Sequence, residues 1–78
     1  MAEATLEIVG GVVASGNRTH RNGDDGIQVD AAGATLTKNI ANANGDLGIE
    51  AVAGTVDGGG NKASGNGNPT QCVGVTCK

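Results

Sequence analysis

No phenylalanine, tyrosine or tryptophan occurs in this chain, and proline and methionine appear once each in 78 residues. Without aromatic side chains a conventional globular core is excluded, because the apolar set is mostly Ala and Val, which bury little area each. Charge is also scarce. At 17% charged residues and a net charge of −3, the chain is too weakly charged to be held unfolded by self-repulsion. Five scattered Lys and Arg residues with no aromatic platform argue against nucleic-acid binding and against an anionic membrane surface. No run approaches the roughly eighteen apolar residues of a membrane-crossing helix. The opening "MAEATLEIVGG" lacks the basic and apolar regions of a signal peptide. The length fits one small domain spanning 1–78, near the lower limit of what a single core stabilises.

What the chain does have is glycine, 15 residues of it, and eight asparagines. Such a composition means either disorder or a backbone with many left-handed positions. Self-similarity decides for order. Asn17, Asn39 and Asn61 are spaced by 22, as are Asn22, Asn44 and Asn66, and Gly23, Gly45 and Gly67. "NGDDGI" at 22–27 returns as "NGDLGI" at 44–49, and Asn68 takes the aspartate column in the third copy. A fixed period of this size is the mark of a repeat architecture.

Within each copy the apolar residues alternate as in strands. Ile27 and Val29 fall on one side with Gln28 and Asp30 on the other, and Ala34 and Leu36 alternate with Thr35 and Thr37. No segment keeps a helical period. Asn-Gly, Gly-Asp and Ala-Gly pairs between the strands read as turns, since Asn and Gly tolerate left-handed backbone angles.

Three short strands and three turns per repeat make one rung of a parallel β-solenoid. The expected fold is therefore all-β, about three stacked 22-residue coils with a C-terminal cap. A partial coil over 1–16 precedes repeats at 17–38, 39–60 and 61–78. Stacking gives the columns meaning. Asn17, Asn39 and Asn61, and likewise Asn22, Asn44 and Asn66, are expected to form amide ladders that satisfy buried polar atoms. Ile27 with Ile49, Val29 with Ala51, Leu36, and Val12 with Ala34 and Val56 are expected inside the coil. Strict spacing would place Thr5 and Glu7 beneath Ile27 and Val29, so the first strand is expected to slip by one residue and turn Leu6 and Ile8 inward.

At the far end Pro69 removes a ladder donor, and 71–78 reads as a terminal strand and cap. Cys72 and Cys77 in "CVGVTC" suggest a short disulfide loop, with two free thiols the alternative. One distant histidine and two cysteines do not make a zinc site.

The stretches "NRTHRNGDDGIQV", "NIANANGDLGIEA" and "DGGGNKASGNGNPTQCVGVTC" resemble the right-handed parallel β-helix repeats of pectate-lyase-like and copper-maturation (nitrous-oxide reductase accessory) type bacterial surface proteins. The resemblance covers 17–78. It implies a right-handed coil and an extracellular or cell-surface setting, with this chain the last coils of a longer exported repeat protein. Enzymes of that superfamily use carboxylates, Lys or Arg on particular strands, and no matching constellation is found here. The expectation is a non-catalytic scaffold or interaction module with no cofactor, no metal and no catalytic residues. The second reading is a carbohydrate-binding or polysaccharide-active fragment.

Each candidate site has a plainer alternative. Asp24 and Asp25 with Asp46 one rung away have the chemistry of a hard-cation site, but aspartates in such corners commonly accept backbone N–H groups, and Leu47 replaces the second Asp. Asp30 and Glu50 resemble the two carboxylates of a glycosidase, with surface charge the alternative. Arg18, His20 and Arg21 form a basic group suited to a sugar acid, or a solvated edge. The candidate ligand face is Arg18, His20, Asp25, Asp30 and Glu50. Thr35-Leu36-Thr37 is a Thr-X-Thr element whose spaced counterparts, Val13 with Ser15 and Asp57 with Gly59, do not continue it. Because the N-terminal coil lacks a cap, self-association is expected, as a dimer of first coils meeting end to end or pairing edges through Leu6 to Val13.

Overall fold

A computed structural model describes residues 5–77; the beginning of the N-terminal partial coil, 1–4, and Lys78 lie outside the described residues. Ten short strands follow one another: β1 (Leu6–Ile8), β2 (Val13–Ser15), β3 (Arg18–His20), β4 (Ile27–Val29), β5 (Thr35–Thr37), β6 (Ile40–Asn42), β7 (Ile49–Ala51), β8 (Val56–Gly59), β9 (Lys62–Ser64) and β10 (Cys72–Val73). Every strand but the last of each sheet pairs in parallel with the one a coil further on. This gives three sheets, β1-β4-β7-β10, β2-β5-β8 and β3-β6-β9, wrapped into a β-solenoid. We call them sheets A, B and C.

The period governs the register. Ile27 lies on Ile49 and Val29 on Ala51 in sheet A, and Thr19, Ala41 and Ala63 are consecutive rungs of sheet C. The first strand slips as expected: Leu6 pairs with Ile27 and Ile8 with Val29, one residue short of the repeat. Ile27, Leu36, Ile49, Val29 and Ile8 are buried, with Ala14, Ala34, Ala41, Ala51 and Ala63 filling the space between them. Small side chains suit this interior because the three sheets stand close together. Gly26 and Gly48 show how close. A Cβ on Gly26 would strike the Thr19 hydroxyl and stand 2.6 Å from the Asn44 amide, and one on Gly48 would stand 2.7 Å from the Ala63 methyl.

Two apolar positions leave the expected column. Val56 is 52% exposed and Val12 50% exposed, while Ala34 is fully buried. The turn from β7 to β8 is one residue shorter than its counterpart before β5, so Val56 pairs with Thr35 and its side chain points outward. A bulge at Gly58 restores the register, pairing Thr37 with Gly59. A side chain at Gly58 would collide with the Thr37 hydroxyl. Asp57 accordingly stands in the Leu36 column, not in the Thr35 column. Val12 belongs to the first coil, where its N–H bonds the Gly10 carbonyl at 2.8 Å and no described rung lies beneath it.

The left-handed positions also differ from expectation. None of the ladder asparagines has positive φ; the residue before each one does. Gly16, Lys38 and Gly60 precede Asn17, Asn39 and Asn61, and Arg21, Ala43 and Gly65 precede Asn22, Asn44 and Asn66. The bend belongs to the preceding residue, and the asparagine it releases points along the ladder.

Both ladders form. The Asn17 and Asn39 side chains donate to the Oδ1 atoms of Asn39 and Asn61, each at 3.1 Å. Asn22 donates to Asn44 at 2.7 Å, and Asn44 to Asn66 at 2.9 Å. Each acceptor oxygen also takes the backbone N–H of the preceding asparagine, as in Asn39 N–H to Asn61 Oδ1 at 3.1 Å. The second amide proton reaches a carbonyl one coil back: Ala14 for Asn39, Leu36 for Asn61 and Ala41 for Asn66. The stack thereby satisfies its buried amides except at the N-terminal end, where the Asn22 Oδ1 atom has no partner among the described residues.

The C-terminal end is closed by residues the repeat does not contain. Gln71 Oε1 accepts from the Asn66 side chain at 2.7 Å and ends that ladder. Asp57 accepts from the Asn61 side chain at 3.2 Å, and its other oxygen takes the Thr76 N–H at 2.8 Å, tying the terminal loop over sheet B. Cys72 sits on Ile49, forms the expected disulfide with Cys77, and both pack against the core with Val75.

Candidate functional site

The corner at 22–27 is built by stacking on its echo at 44–49. Gly45 N–H bonds the Asn22 carbonyl at 2.7 Å, Asp46 N–H bonds the Asp24 carbonyl at 3.1 Å, and Gly26 N–H bonds the Leu47 carbonyl at 3.1 Å. Asn68 continues the aspartate column by donating to Asp46 at 3.1 Å. At one position the two corners differ. Asp25 is only 2% exposed, in the column where the next coil buries Leu47 at 5%. Its Oδ1 accepts the Leu47 N–H at 3.0 Å, and its own carbonyl accepts the Thr5 hydroxyl at 2.7 Å.

Carboxyl oxygens of Asp24, Asp25 and Asp46 lie within 4.8 Å of one another. Burial pushes the Asp25 carboxyl up to about 6, helped by the neighbouring Glu50 carboxyl and by Asp46, while the Leu47 N–H pulls the other way. Asp25 is therefore a buried acid that shares its corner with like charges, which is costly when ionised. Three carboxylates are too few to satisfy calcium by themselves, which takes about six to eight oxygens. Buried as it is, Asp25 does not belong to an outward ligand face.

Asp30 and Glu50 do meet. With Gln28, Val52 and Val73 they line an open groove of about 310 Å³ on the outer side of sheet A, which also borders Val29 and Ala51, whose side chains are buried in the core. Gln28 donates to Asp30 at 3.1 Å and holds its carboxylate at the rim. Glu7, one rung below Gln28, also reaches Asp30, and the contact between the two carboxyls raises the Glu7 carboxyl above its usual range. Arg18 and His20 do not join this face. They lie on β3 in sheet C, stacked on Ile40 and Asn42, because the chain turns a corner between β3 and β4. Among the described residues, no Lys, Arg or His lines the groove.

The chain was compared with protein-family models, with curated proteins and with solved structures. None of these comparisons finds a match.

Three positions that shape the cap and the acidic face are not marked by the repeat in the sequence. Gln71 stands one residue before a strand, as Gly26 and Gly48 do, and only an amide side chain within reach of Asn66 marks it. Asp57 was hidden by the compensated shift in β8; three donors to its carboxylate, from Thr76, Gly59 and Asn61, hold that carboxyl below its usual range. Glu7 became part of the acidic face through the one-residue slip of β1.

Proposed function

We propose that this chain is a non-catalytic β-solenoid scaffold or interaction module, a segment of a longer exported bacterial repeat protein. The observation that carries this reading is the use of its buried amides. The ladder asparagines are bonded to one another and to backbone carbonyls, and the ladders end on Gln71 and Asp57. Polar groups spent on stacking coils are not free to bind or activate a substrate. A Cys72–Cys77 disulfide is the chemistry of an oxidising compartment, which supports export. The β-helix repeats of pectate-lyase-like surface proteins remain the family it resembles in sequence pattern.

The groove on sheet A favours a second reading, carbohydrate binding, since Gln28, Asp30 and Glu50 put hydrogen-bonding groups beside the exposed Val52 and Val73. Isothermal titration with neutral oligosaccharides and polyuronates separates the two. The scaffold reading expects no saturable heat; saturable binding abolished by Asp30→Ala or Glu50→Gln would replace it with the carbohydrate reading.

A further inference from the structure

The charges of this chain are sorted by sheet. Glu7, Asp24, Asp25, Asp30, Asp46 and Glu50, six of its eight acidic residues, lie on sheet A or in the turns on either side of its strands. Arg18, His20 and Lys62 lie on sheet C, with Arg21 and Lys38 in the turns beside it. The spacing matches as well as the sign. The outward column of sheet A runs Glu7, Gln28, Glu50 and Val73 on successive rungs. The outward column of sheet C runs Arg18, Ile40 and Lys62. In each, two like charges stand two rungs apart, about 10 Å at the inter-strand spacing, with an uncharged residue between them. Glu7, Glu50, Arg18 and Lys62 are all exposed, while Gln28 and Ile40 are half-buried.

We propose that the outer face of sheet A docks onto the outer face of sheet C of a second copy, Glu7 and Glu50 meeting Arg18 and Lys62 while Gln28 faces Ile40. This rests on the interaction-module reading and names its partner. The two faces are different surfaces, so the contact is heterologous and leaves each end of the pair free to add another copy. The end-to-end arrangement of first coils is less well matched. Every Asn-to-Asn bond of the ladders donates toward the C-terminal cap, so the ladders end in acceptor oxygens at the N-terminal side, where the Asn22 Oδ1 atom is buried without a partner among the described residues. Two such ends face to face would oppose acceptor to acceptor. A three-rung face is well below the roughly 800 Å² per partner of a standard interface, so the association is weak and read at high concentration.

The test is sedimentation equilibrium of the intact, disulfide-bonded chain. At about 0.01 M salt the average mass should rise with concentration, and at about 1 M, where screening reaches a few ångströms, association should weaken by more than about tenfold. The Arg18→Glu/Lys62→Glu variant alone, and the Glu7→Lys/Glu50→Lys variant alone, should each stay monomeric. Mixing the two should restore association, since each supplies the sign the other lacks. Circular dichroism and melting confirm that both variants are folded. A monomer at low salt, salt-independent association, or folded variants that stay monomeric on mixing each overturns the proposal. None of these outcomes touches the titration with sugars, so the scaffold reading fails or stands separately.

Discussion

The corners at 22–27 and 44–49 share a backbone path, a left-handed residue before the asparagine, and a place in the same ladder, yet one buries Asp25 where the other buries Leu47. Leu47 shows what the solenoid requires at that point, an apolar side chain under the turn. Asp25 shows what it tolerates: a carboxyl held by the Leu47 N–H beneath two other aspartates. The first corner therefore carries a local destabilisation that the second lacks, and the ladder common to both has to hold it in place.

Removing that common part should have the largest effect. Asn44→Ala would leave the Asn22 N–H and the Asn22 side chain without partners, while the Asn66 Oδ1 would keep the backbone N–H of residue 44. At about 1–3 kcal/mol for each of the two buried groups left unpaired, the variant should lose about 2–6 kcal/mol, read as a lower midpoint in chemical denaturation. Next comes the exchange of the two corners. Leu47→Asp should destabilise at neutral pH by about 2 kcal/mol or more, because it buries a second acid beside Asp25. Asp25→Leu should instead raise the melting temperature at pH 7 by making the first corner like the second.

The same difference predicts a pH dependence. Asp25 binds its proton more tightly folded, at about 6, than at the usual 3.8. The folded state then holds the extra proton between those values, so stability is greatest below the lower one and is lost as pH rises through about 6. Glu7, also raised, acts in the same direction, and Asp57, lowered, opposes it only in more acid solution. Melting curves from pH 4 to 7 should fall for the natural chain and flatten in Asp25→Leu. The smallest effect belongs to the bend. Arg21 and Ala43 occupy left-handed backbone where the third corner has Gly65. Ala43→Gly should stabilise by about 0.5–1 kcal/mol, the relief of a left-handed Cβ less the entropy of glycine, measured by denaturant midpoint.

Much of this fold is legible in the sequence because a stacked coil repeats its constraints. The 22-residue columns locate both ladders, the inward Ile and Val positions, and the slip of the first strand. The misplacement of Val56 came from the same rule. A turn shortened by one residue and a bulge at Gly58 cancel within a few positions, so the columns before and after agree while Val56 and Asp57 change sides. The residues of the candidate ligand face are divided between two sheets for a different reason. Arg18 and His20 are close to Asp30 in sequence, but a corner between β3 and β4 puts them on another sheet, and spacing along the chain does not report which side of the coil a residue faces. Asp25 was visible only as a break in the repeat; its burial needed the stack.

The most direct test of the account follows the asparagine side chains by NMR. If the coils are joined by amide ladders, the Nδ2 protons of Asn22, Asn39 and Asn44 should exchange slowly with solvent, and those of Asn22 should show cross-peaks to Asn44. Side-chain amides that all exchange at the rate of free asparagine, with no contact between residues one repeat apart, would contradict it.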